Sequence, residues 1–416
     1  METKFWYGLK SEVYVRLCSD RALAYDTKQK ICRISEDRHV IHLLRTAEED
    51  ESLGCVLIDM NWQFPSVKEW IQSTCKDGMA VAFPYFKDKE HPVILRPLLS
   101  LNKDVNKISD ENIMSSFWGG DIKHFLNSLT VFVNNNCTSG CMMCKNYFKQ
   151  IPFCTNYGTS NDSSITSHQL TSILTEVSDF PISHINIFGG DIYDERLLSI
   201  LESAVKRDTL HFRFYTHYKK YKKNAFVDSQ EVHILIPSRF DSIYLMSVCK
   251  HMGATEKILH FVVENDDDVQ VVEDFIDKND IVLYQMYPFY TGVNEPFFRK
   301  NVYMSKKELM NSEISMREIF RNQKLNANNF GSLYIMPDGS IKAHMNGQTL
   351  GYVGKNELLD IIYKEIVINT AWRKVRDKEP CSQCVFQNLC PPTSSYETAI
   401  GRDNLCDVYN KTIVSS

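Results

Sequence analysis

The chain has 416 residues, 43% of them hydrophobic and 24% charged, with a formal net charge of −5 at pH 7. This length indicates two or three domains, and the mild negative charge argues against a nucleic-acid-binding surface built on basic residues. No stretch approaches the ~18 uninterrupted apolar residues that cross a membrane, and no apolar export segment follows Met1–Lys4. We therefore expect a cytoplasmic protein that binds neither nucleic acid nor membrane.

Residues 1–105 are predicted to form a small α+β unit. Short strands around turn residues come first, followed by a helix, a further strand and a second helix that Pro65 begins. The predicted strands are Ser11–Cys18, Ala22–Tyr25, Lys30–Ile34 and Cys55–Met60, and the first helix is Asp37–Thr46.

Residues 126–300 are predicted to alternate strands with helices of about 10–15 residues, the pattern of parallel β/α units. The expected strands are Leu129–Val133, Ile185–Phe188, Phe212–Thr216, Val232–Ile236, Ile258–Val263 and Ile281–Tyr287. The expected helices are Ile165–Phe180, Asp194–Val205, Asp241–His251 and Asp267–Asp277. Six strands are fewer than the eight of a closed barrel, so a partial barrel and an open doubly wound sheet both fit. In either, ligands sit at the carboxyl ends of the strands.

The 13 cysteines cluster in two places, and in a reducing compartment such clusters indicate metal binding rather than disulfides. Cys137, Cys141 and Cys144 form the first cluster, directly after the first predicted strand of the β/α region. Three thiolates can hold three irons of a cube-shaped cluster and leave the fourth iron open to a small molecule. A zinc site with Cys154 as the fourth ligand is the alternative. Otherwise Cys154 is interpreted as a structural thiol.

Polar and flexible residues also end the second and third predicted strands. The second strand ends in Gly189-Gly190-Asp191, where the glycines permit close backbone approach to a ligand and the carboxylate suits an ammonium group. The third strand ends at Thr216, and the following His217 is interpreted as a structural histidine.

Residues 328–416 form the third predicted region. A hairpin is expected from Leu333–Met336 through the turn at Pro337–Ser340 to Ile341–Ala343, followed by a helix at Leu358–Thr370. The second cysteine cluster closes the region with Cys381, Cys384, Cys390 and Cys406. Four ligands complete a site that is structural or transfers electrons, and on spacing alone zinc and an iron–sulfur cluster fit equally well.

The spacing of Cys137, Cys141 and Cys144, and their place after the first strand, resemble the CxxxCxxC motif of the radical SAM family. The resemblance implies a [4Fe–4S] cluster whose open iron binds S-adenosylmethionine (SAM) and whose reduction generates a 5′-deoxyadenosyl radical. The run Gly189–Asp191 resembles the family's Gly-Gly-Glu motif, which holds the SAM amino group, and Thr216 is implied as a further SAM contact. The sequence departs from the family at Met143, usually aromatic, at Asp191, one methylene shorter than Glu, and at Ile236–Ser238, where many members have a Ser-Leu-Asp-type ending.

The C-terminal region resembles the SPASM extension of peptide-modifying radical SAM enzymes. Full SPASM domains have seven cysteines and two auxiliary clusters, but His344 and Ser394 stand at two of those cysteine positions here. The resemblance therefore implies one auxiliary [4Fe–4S] cluster on Cys381, Cys384, Cys390 and Cys406. The tail, from Leu389 to Cys406, resembles the pseudo-radical-SAM proteins that accompany a true radical SAM enzyme in double-glycine-leader peptide systems.

Together these features predict an α/β protein with a partial (β/α)6 radical-SAM-type barrel, a small N-terminal α+β domain and a C-terminal SPASM-like or twitch-like cysteine domain. The expected function is SAM cleavage that modifies a ribosomally made precursor peptide, with electrons from a donor such as flavodoxin or ferredoxin. The first alternative is a catalytically silent protein that presents the peptide to a partner radical SAM maturase. The second is a zinc-stapled binding protein.

The N-terminal unit loosely resembles winged-helix leader-peptide recognition domains, which implies peptide binding by strand addition to a sheet edge. Otherwise it is a scaffold.

Overall fold

The computed structural model describes most of the chain. It covers residues 4–95, 120–137, 139, 141, 150–151, 163–182, 184–208, 210–253 and 257–408. The predictions for Met143, Cys144 and Cys154 lie outside the described residues. No helix in the described ranges combines the length and the apolar character needed to cross a membrane.

Two three-stranded antiparallel sheets and two helices make up the N-terminal unit. The strands are β1 (Phe5–Leu9), β2 (Val13–Leu17), β3 (Ala22–Asp26), β4 (Ile31–Ser35), β5 (Val56–Ile58) and β6 (Ala80–Pro84), and the helices are α1 (Arg38–Ala47) and α2 (Pro65–Lys76). One sheet has the order β5-β1-β6 and the other β2-β3-β4. The four predicted strands and both helices are confirmed within a few residues, whereas β1 and β6 were not predicted.

A nine-stranded sheet forms the centre of the molecule. Its strands are β7 (Ser128–Phe132), β8 (Ile185–Phe188), β9 (Phe212–His217), β10 (Glu231–Ile236), β11 (Lys257–Val263), β12 (Tyr284–Pro288), β13 (Ser332–Ile335), β14 (Ser340–Lys342) and β15 (Gly351–Tyr352). Their order is β12-β11-β10-β9-β8-β7-β13-β14-β15. The six strands predicted for the β/α region are confirmed, and each pairs in parallel with its neighbour in the sequence.

Helices alternate with the strands of this sheet or follow them along the chain. They are α3 (Ser167–Val177), α4 (Glu195–Asp208), α5 (Ser242–Met252), α6 (Asp266–Lys278), α7 (Glu295–Val302), α8 (Lys306–Met310), α9 (Met316–Asn322), α10 (Leu358–Ile368) and α11 (Ser395–Ile400). Thr166 caps α3, because its side chain accepts the Gln169 N–H in a reciprocal capping box. The four helices predicted for the β/α region are present, while α7, α8, α9 and α11 were not predicted.

The strand order bears on the two sheets that the sequence left open, a partial barrel and an open doubly wound sheet. Strands β7 to β12 follow one another in chain order, without the reversal that defines a doubly wound sheet. Alternate strand residues, such as Val131, Ile187 and Phe214, share one apolar core with α3, α4 and α5. The intervening residues, such as Phe132 and Phe188, face a separate cluster on the other side, here called the inner face.

The predicted C-terminal hairpin is continuous with this sheet. Strand β13 pairs in parallel with β7 and antiparallel with β14. Helix α10 buries Leu358, Ile361 and Ile362 in the same core as the strands. The hairpin thus places the C-terminal region beside the strand that leads into the first cysteine cluster.

Candidate functional site

The first cysteine cluster lies just beyond the carboxyl end of β7. Cys137 is buried, and its N–H donates to the Asn135 carbonyl oxygen at 2.9 Å. Cys141 is half-buried and packs against the apolar cluster of the inner face. The structure thus brings Cys137 and Cys141 to the strand end where the sequence predicted them.

The glycine pair after β8 lies directly against this cysteine loop. A Cβ atom placed on Gly190 would lie 2.2 Å from the Cys137 nitrogen and 2.4 Å from the Asn136 carbonyl carbon. These are backbone atoms with no freedom to move aside, so only glycine fits. The sequence predicted that these glycines let a ligand approach the backbone closely. In the structure, Gly190 lets the backbone of Cys137 approach closely.

Asn134 locks the two strand-end loops together. Its Oδ1 accepts the N–H groups of Gly190 and Asp191, both at 3.0 Å, and its Nδ2 donates to the Asp191 carbonyl at 2.6 Å. Sequence reasoning missed this residue, although a polar side chain directly after an apolar strand is the signal that could have found it. Asn134 therefore positions both the glycine pair and the start of the cysteine loop.

The Asp191 carboxylate is engaged within the protein. One oxygen accepts the Tyr193 N–H at 2.9 Å, and the other forms an ion pair with Lys222 at 3.0 Å. The side chain is 46% exposed, so the ion pair lies at the surface, where such pairs are weak. A competing ammonium group would displace Lys222 at small cost.

Thr216 and His217 occupy opposite faces of β9. Thr216 is buried. It lies two residues after Phe214 on the same strand, so its side chain faces the same side of the sheet, the core covered by the helices. His217 lies on the inner face, where its Nε2 is 3.4 Å from Cys141 Sγ. The register therefore points the Thr216 side chain away from the cysteine loop and the His217 side chain towards it. The cofactor contact predicted for Thr216 stays a prediction.

The protonation of His217 follows from its surroundings. Burial, with smaller contributions from Lys219 and Lys220, lowers its pKa to about 4, so the ring is neutral at pH 7. The Lys219 N–H donates to Nδ1 at 3.2 Å, which leaves the ring proton on Nε2. His217 therefore donates this N–H towards the sulfur of Cys141.

The four cysteines of the second cluster line a single small pocket. They are Cys381, Cys384, Cys390 and Cys406. Cys406 is held by a bridge to Met304, whose N–H donates to the Leu405 carbonyl at 3.0 Å. Within the described ranges, no three His, Cys, Asp or Glu side chains are arranged to hold a metal ion.

A buried ion pair stands beside this pocket. Arg376 lines it and pairs with Glu397 at 2.6 Å, their side chains being 8% and 7% exposed. Burial raises the pKa of the Cys390 thiol to about 12, and the Arg376 charge opposes that rise. Four thiols beside a buried guanidinium are the residue types of a site for an anionic, thiolate-ligated group, although the described side chains are not arranged around one metal position.

The N-terminal unit covers the other side of the second cluster. Tyr14 and Arg16 of β2 reach this segment. The Tyr14 hydroxyl accepts from Asn388 Nδ2 at 2.7 Å, and the Arg16 guanidinium donates to the Ser382 carbonyl at 2.9 Å. Tyr25 and Cys384 belong to the same apolar cluster. The cysteine segment is therefore sandwiched between the N-terminal sheet and α8–α9.

No protein-family profile and no curated protein matches the sequence. Among solved structures, SuiB of Streptococcus suis aligns over 96% of this chain and 99% of its own, with a TM-score of 0.45 and 13% identity. SuiB bound to S-adenosylmethionine gives a TM-score of 0.41, and SuiB bound to the precursor peptide SuiA gives 0.42, each at 11% identity over 97% of this chain and 99% of that one. TM-scores below 0.5 do not by themselves establish a shared fold.

Proposed function

We propose that the protein is a radical SAM peptide maturase built on a partial (β/α)6 barrel. The observation that carries the proposal is the pairing of Cys137 and Cys141 at the carboxyl end of β7 with Gly190, packed on the Cys137 backbone from β8. Two neighbouring strand ends thus build one ligand site at the edge where parallel sheets bind ligands.

Cys137 and Cys141, together with Cys144, would hold the SAM-binding [4Fe–4S] cluster, which supplies the electron that cleaves SAM to a 5′-deoxyadenosyl radical. The chain's own contribution is to fix the loop and the ligand. Asn134 fixes the cysteine loop against the Gly189–Asp191 turn. The Asp191 carboxylate exchanges Lys222 for the SAM ammonium group.

His217 and Arg376 would stabilise thiolate ligands at the two sites. An N–H donor directed at a sulfur favours the thiolate over the thiol, and His217 directs one at Cys141. Arg376 supplies a full charge beside Cys381, Cys384, Cys390 and Cys406, which would hold one auxiliary cluster. A flavodoxin or ferredoxin would supply the electrons.

The experiment is anaerobic reconstitution with iron, sulfide, SAM and dithionite. We expect about eight irons per chain, the content of two cubanes, and formation of 5′-deoxyadenosine. Cys137→Ala/Cys141→Ala and Cys381→Ala/Cys384→Ala should each lose about half the iron, and the first pair should abolish 5′-deoxyadenosine. Cys75→Ala on α2, outside both clusters, is the matched control and should change neither quantity. Zinc without sulfide would overturn the proposal.

A second candidate function is the silent partner of an active maturase, and one observation favours it. At the end of β10, Ser238 Oγ donates to Glu264 at 2.5 Å, so this strand end is engaged internally. A full iron content without 5′-deoxyadenosine would select this function, and rapid SAM turnover by the isolated protein would exclude it.

The peptide is proposed to bind by strand addition at β6. This strand pairs with β1 on one side. At the opposite edge of the sheet, Ile94 donates its N–H to the carbonyl of Leu53, three residues before β5. Exposed aromatic side chains of Phe83, Tyr85 and Phe86 lie on and just after β6. No described strand pairs with the other side of β6, so an extended peptide would find both backbone partners and apolar contacts there.

Phe83→Asp is expected to weaken binding of a synthetic double-glycine-leader peptide by about tenfold or more, because it removes apolar contact area at the open edge. Isothermal titration calorimetry would measure the affinity. Val293→Asp, which changes a highly exposed apolar residue after β12, is the control and should leave the affinity unchanged. Equal affinities for Phe83→Asp and the wild type would place the peptide elsewhere.

A further inference from the structure

A chain of hydrogen bonds crosses the inner face of the sheet through three strands. It runs from Glu231 through His233 and His260 to Tyr287 and Gln285. Glu231 Oε1 lies 2.8 Å from His233 Nε2, and His233 Nδ1 lies 2.6 Å from His260 Nε2. His260 Nδ1 is 3.1 Å from the Tyr287 hydroxyl, which also contacts the Gln285 side-chain oxygen. The three links from Glu231 to Tyr287 therefore have hydrogen-bonding distances of 2.6–3.1 Å.

The chain has a buried middle and two ends that reach solvent. His233 and His260 are each 5% exposed. Gln285 is exposed on β12, the edge strand, and Glu231 at the start of β10 has a side chain that is 26% exposed and is paired with Arg213 at 2.8 Å. The two imidazoles are thus the buried part of a hydrogen-bonded path whose ends, Glu231 and Gln285, are accessible to solvent.

The donors and acceptors in this chain have two consistent arrangements. In the first, Tyr287 donates to His260, His260 Nε2–H donates to His233, and His233 Nε2–H donates to Glu231. In the second, each internal bond is reversed, His233 carries protons on both nitrogens, and Tyr287 donates to Gln285. The two arrangements differ by one proton, and the Gln285 amide serves either, because it offers an oxygen and an NH₂ group.

We propose that this chain conducts protons between solvent at the β12 edge and the inner face of the sheet. A proton enters at the Tyr287 hydroxyl as that group passes its own proton to His260. His260 passes a proton to His233, and His233 passes one to Glu231 or to a ligand on the inner face. One proton enters for each proton delivered, so no oxidant or reductant takes part.

Both rings are neutral at pH 7, because burial lowers the pKa of His233 to about 4 and that of His260 to about 3. The arrangement with a doubly protonated His233 is therefore a transient one that stores no proton. The other titratable groups that act on His233 are Arg213 and His184. Tyr215 stacks on His233 at 4.1 Å and on Phe188 at 3.9 Å, and Phe188 packs with Cys137. Tyr215 and Phe188 therefore connect the middle of the chain to the apolar cluster that includes Cys137.

The test is the hydrogen-exchange rate of the two histidine ring N–H groups, measured by NMR on the full chain labelled with ¹⁵N-histidine. Conduction predicts exchange that is fast and independent of low urea concentrations, although both rings are buried. Exchange through unfolding would instead be slow and would accelerate with urea. Exchange that tracks unfolding in the wild type would overturn the proposal without any variant.

Tyr287→Phe removes the hydroxyl link and is expected to slow exchange of the His260 Nε2–H, the ring proton next to Tyr287 in the chain, at least about tenfold, with the fold retained by circular dichroism. Tyr215→Phe is the matched control, because its hydroxyl takes no part in the chain, and it should leave the rate unchanged. Equal rates in Tyr287→Phe and the wild type would overturn the proposal. A structural role alone would move the melting temperature of Tyr287→Phe but not the exchange of a still-folded protein.

Discussion

Arg376→Met is expected to lower the free energy of unfolding by about 3–5 kcal/mol, the usual cost of breaking a buried ion pair. The variant leaves the Glu397 carboxylate buried without its cation, although Ser394 still donates to the other oxygen at 2.6 Å and 2.8 Å. It also removes a hydrogen bond of 2.5 Å to the Pro391 carbonyl, one residue beyond Cys390. Anaerobic urea unfolding would measure the loss.

Two comparisons separate the buried charge from the loss of packing. Arg376→Met/Glu397→Gln removes both charges and should recover a large part of the stability, because no unpaired ion remains. Lys206→Met breaks an exposed helical pair with Glu202 and should cost at most about 0.5 kcal/mol. A loss below about 1 kcal/mol in Arg376→Met would contradict the burial of this pair.

Removal of the Arg376 charge also bears on the second cysteine cluster. A guanidinium beside four thiolates offsets their mutual repulsion, so Arg376→Met should lose iron from that site in parallel with its stability. Iron analysis of the variant at a temperature where it remains folded separates the two effects. Retention of all iron would mean that Arg376 serves stability alone.

Gly190→Ala is expected to disrupt the first cysteine cluster while leaving the second intact. The added methyl group would overlap the Cys137 nitrogen and the Asn136 carbonyl carbon, which belong to the loop that carries the ligand. Such overpacking typically costs about 1–3 kcal/mol. We expect loss of about half of the iron and no 5′-deoxyadenosine, measured after the same anaerobic reconstitution.

Gly354→Ala is the control for this substitution. An alanine Cβ at position 354 meets no atom within 4 Å, although the backbone there has a φ of +76° and favours glycine. The control should therefore lose some stability but keep all of its iron. A Gly190→Ala protein with the full iron content would show that the loop tolerates a shift that the packed backbone argues against.

The sequence alone determined which segments are strands and which are helices in the β/α region. Apolar runs such as Ile185–Phe188 and caps such as Thr166 are local signals, because they depend on neighbouring residues along one segment. The positions of Cys137 and Cys141 after the first strand followed from the same local pattern. Strand β1, by contrast, was missed because its place in the middle of a sheet depends on β5 and β6, far along the chain.

Only the tertiary structure decided what faces the candidate site. Thr216 and His217 are neighbours, and their sides of β9 are set by which face the helices cover, which no local pattern specifies. The hydrogen bonds from Asn134 to the turn after β8, and the Arg376–Glu397 ion pair, each join residues from separate elements. The His233–His260 link exists because β10 and β11 pair in one register, and a shift of one residue would turn a ring to the opposite face.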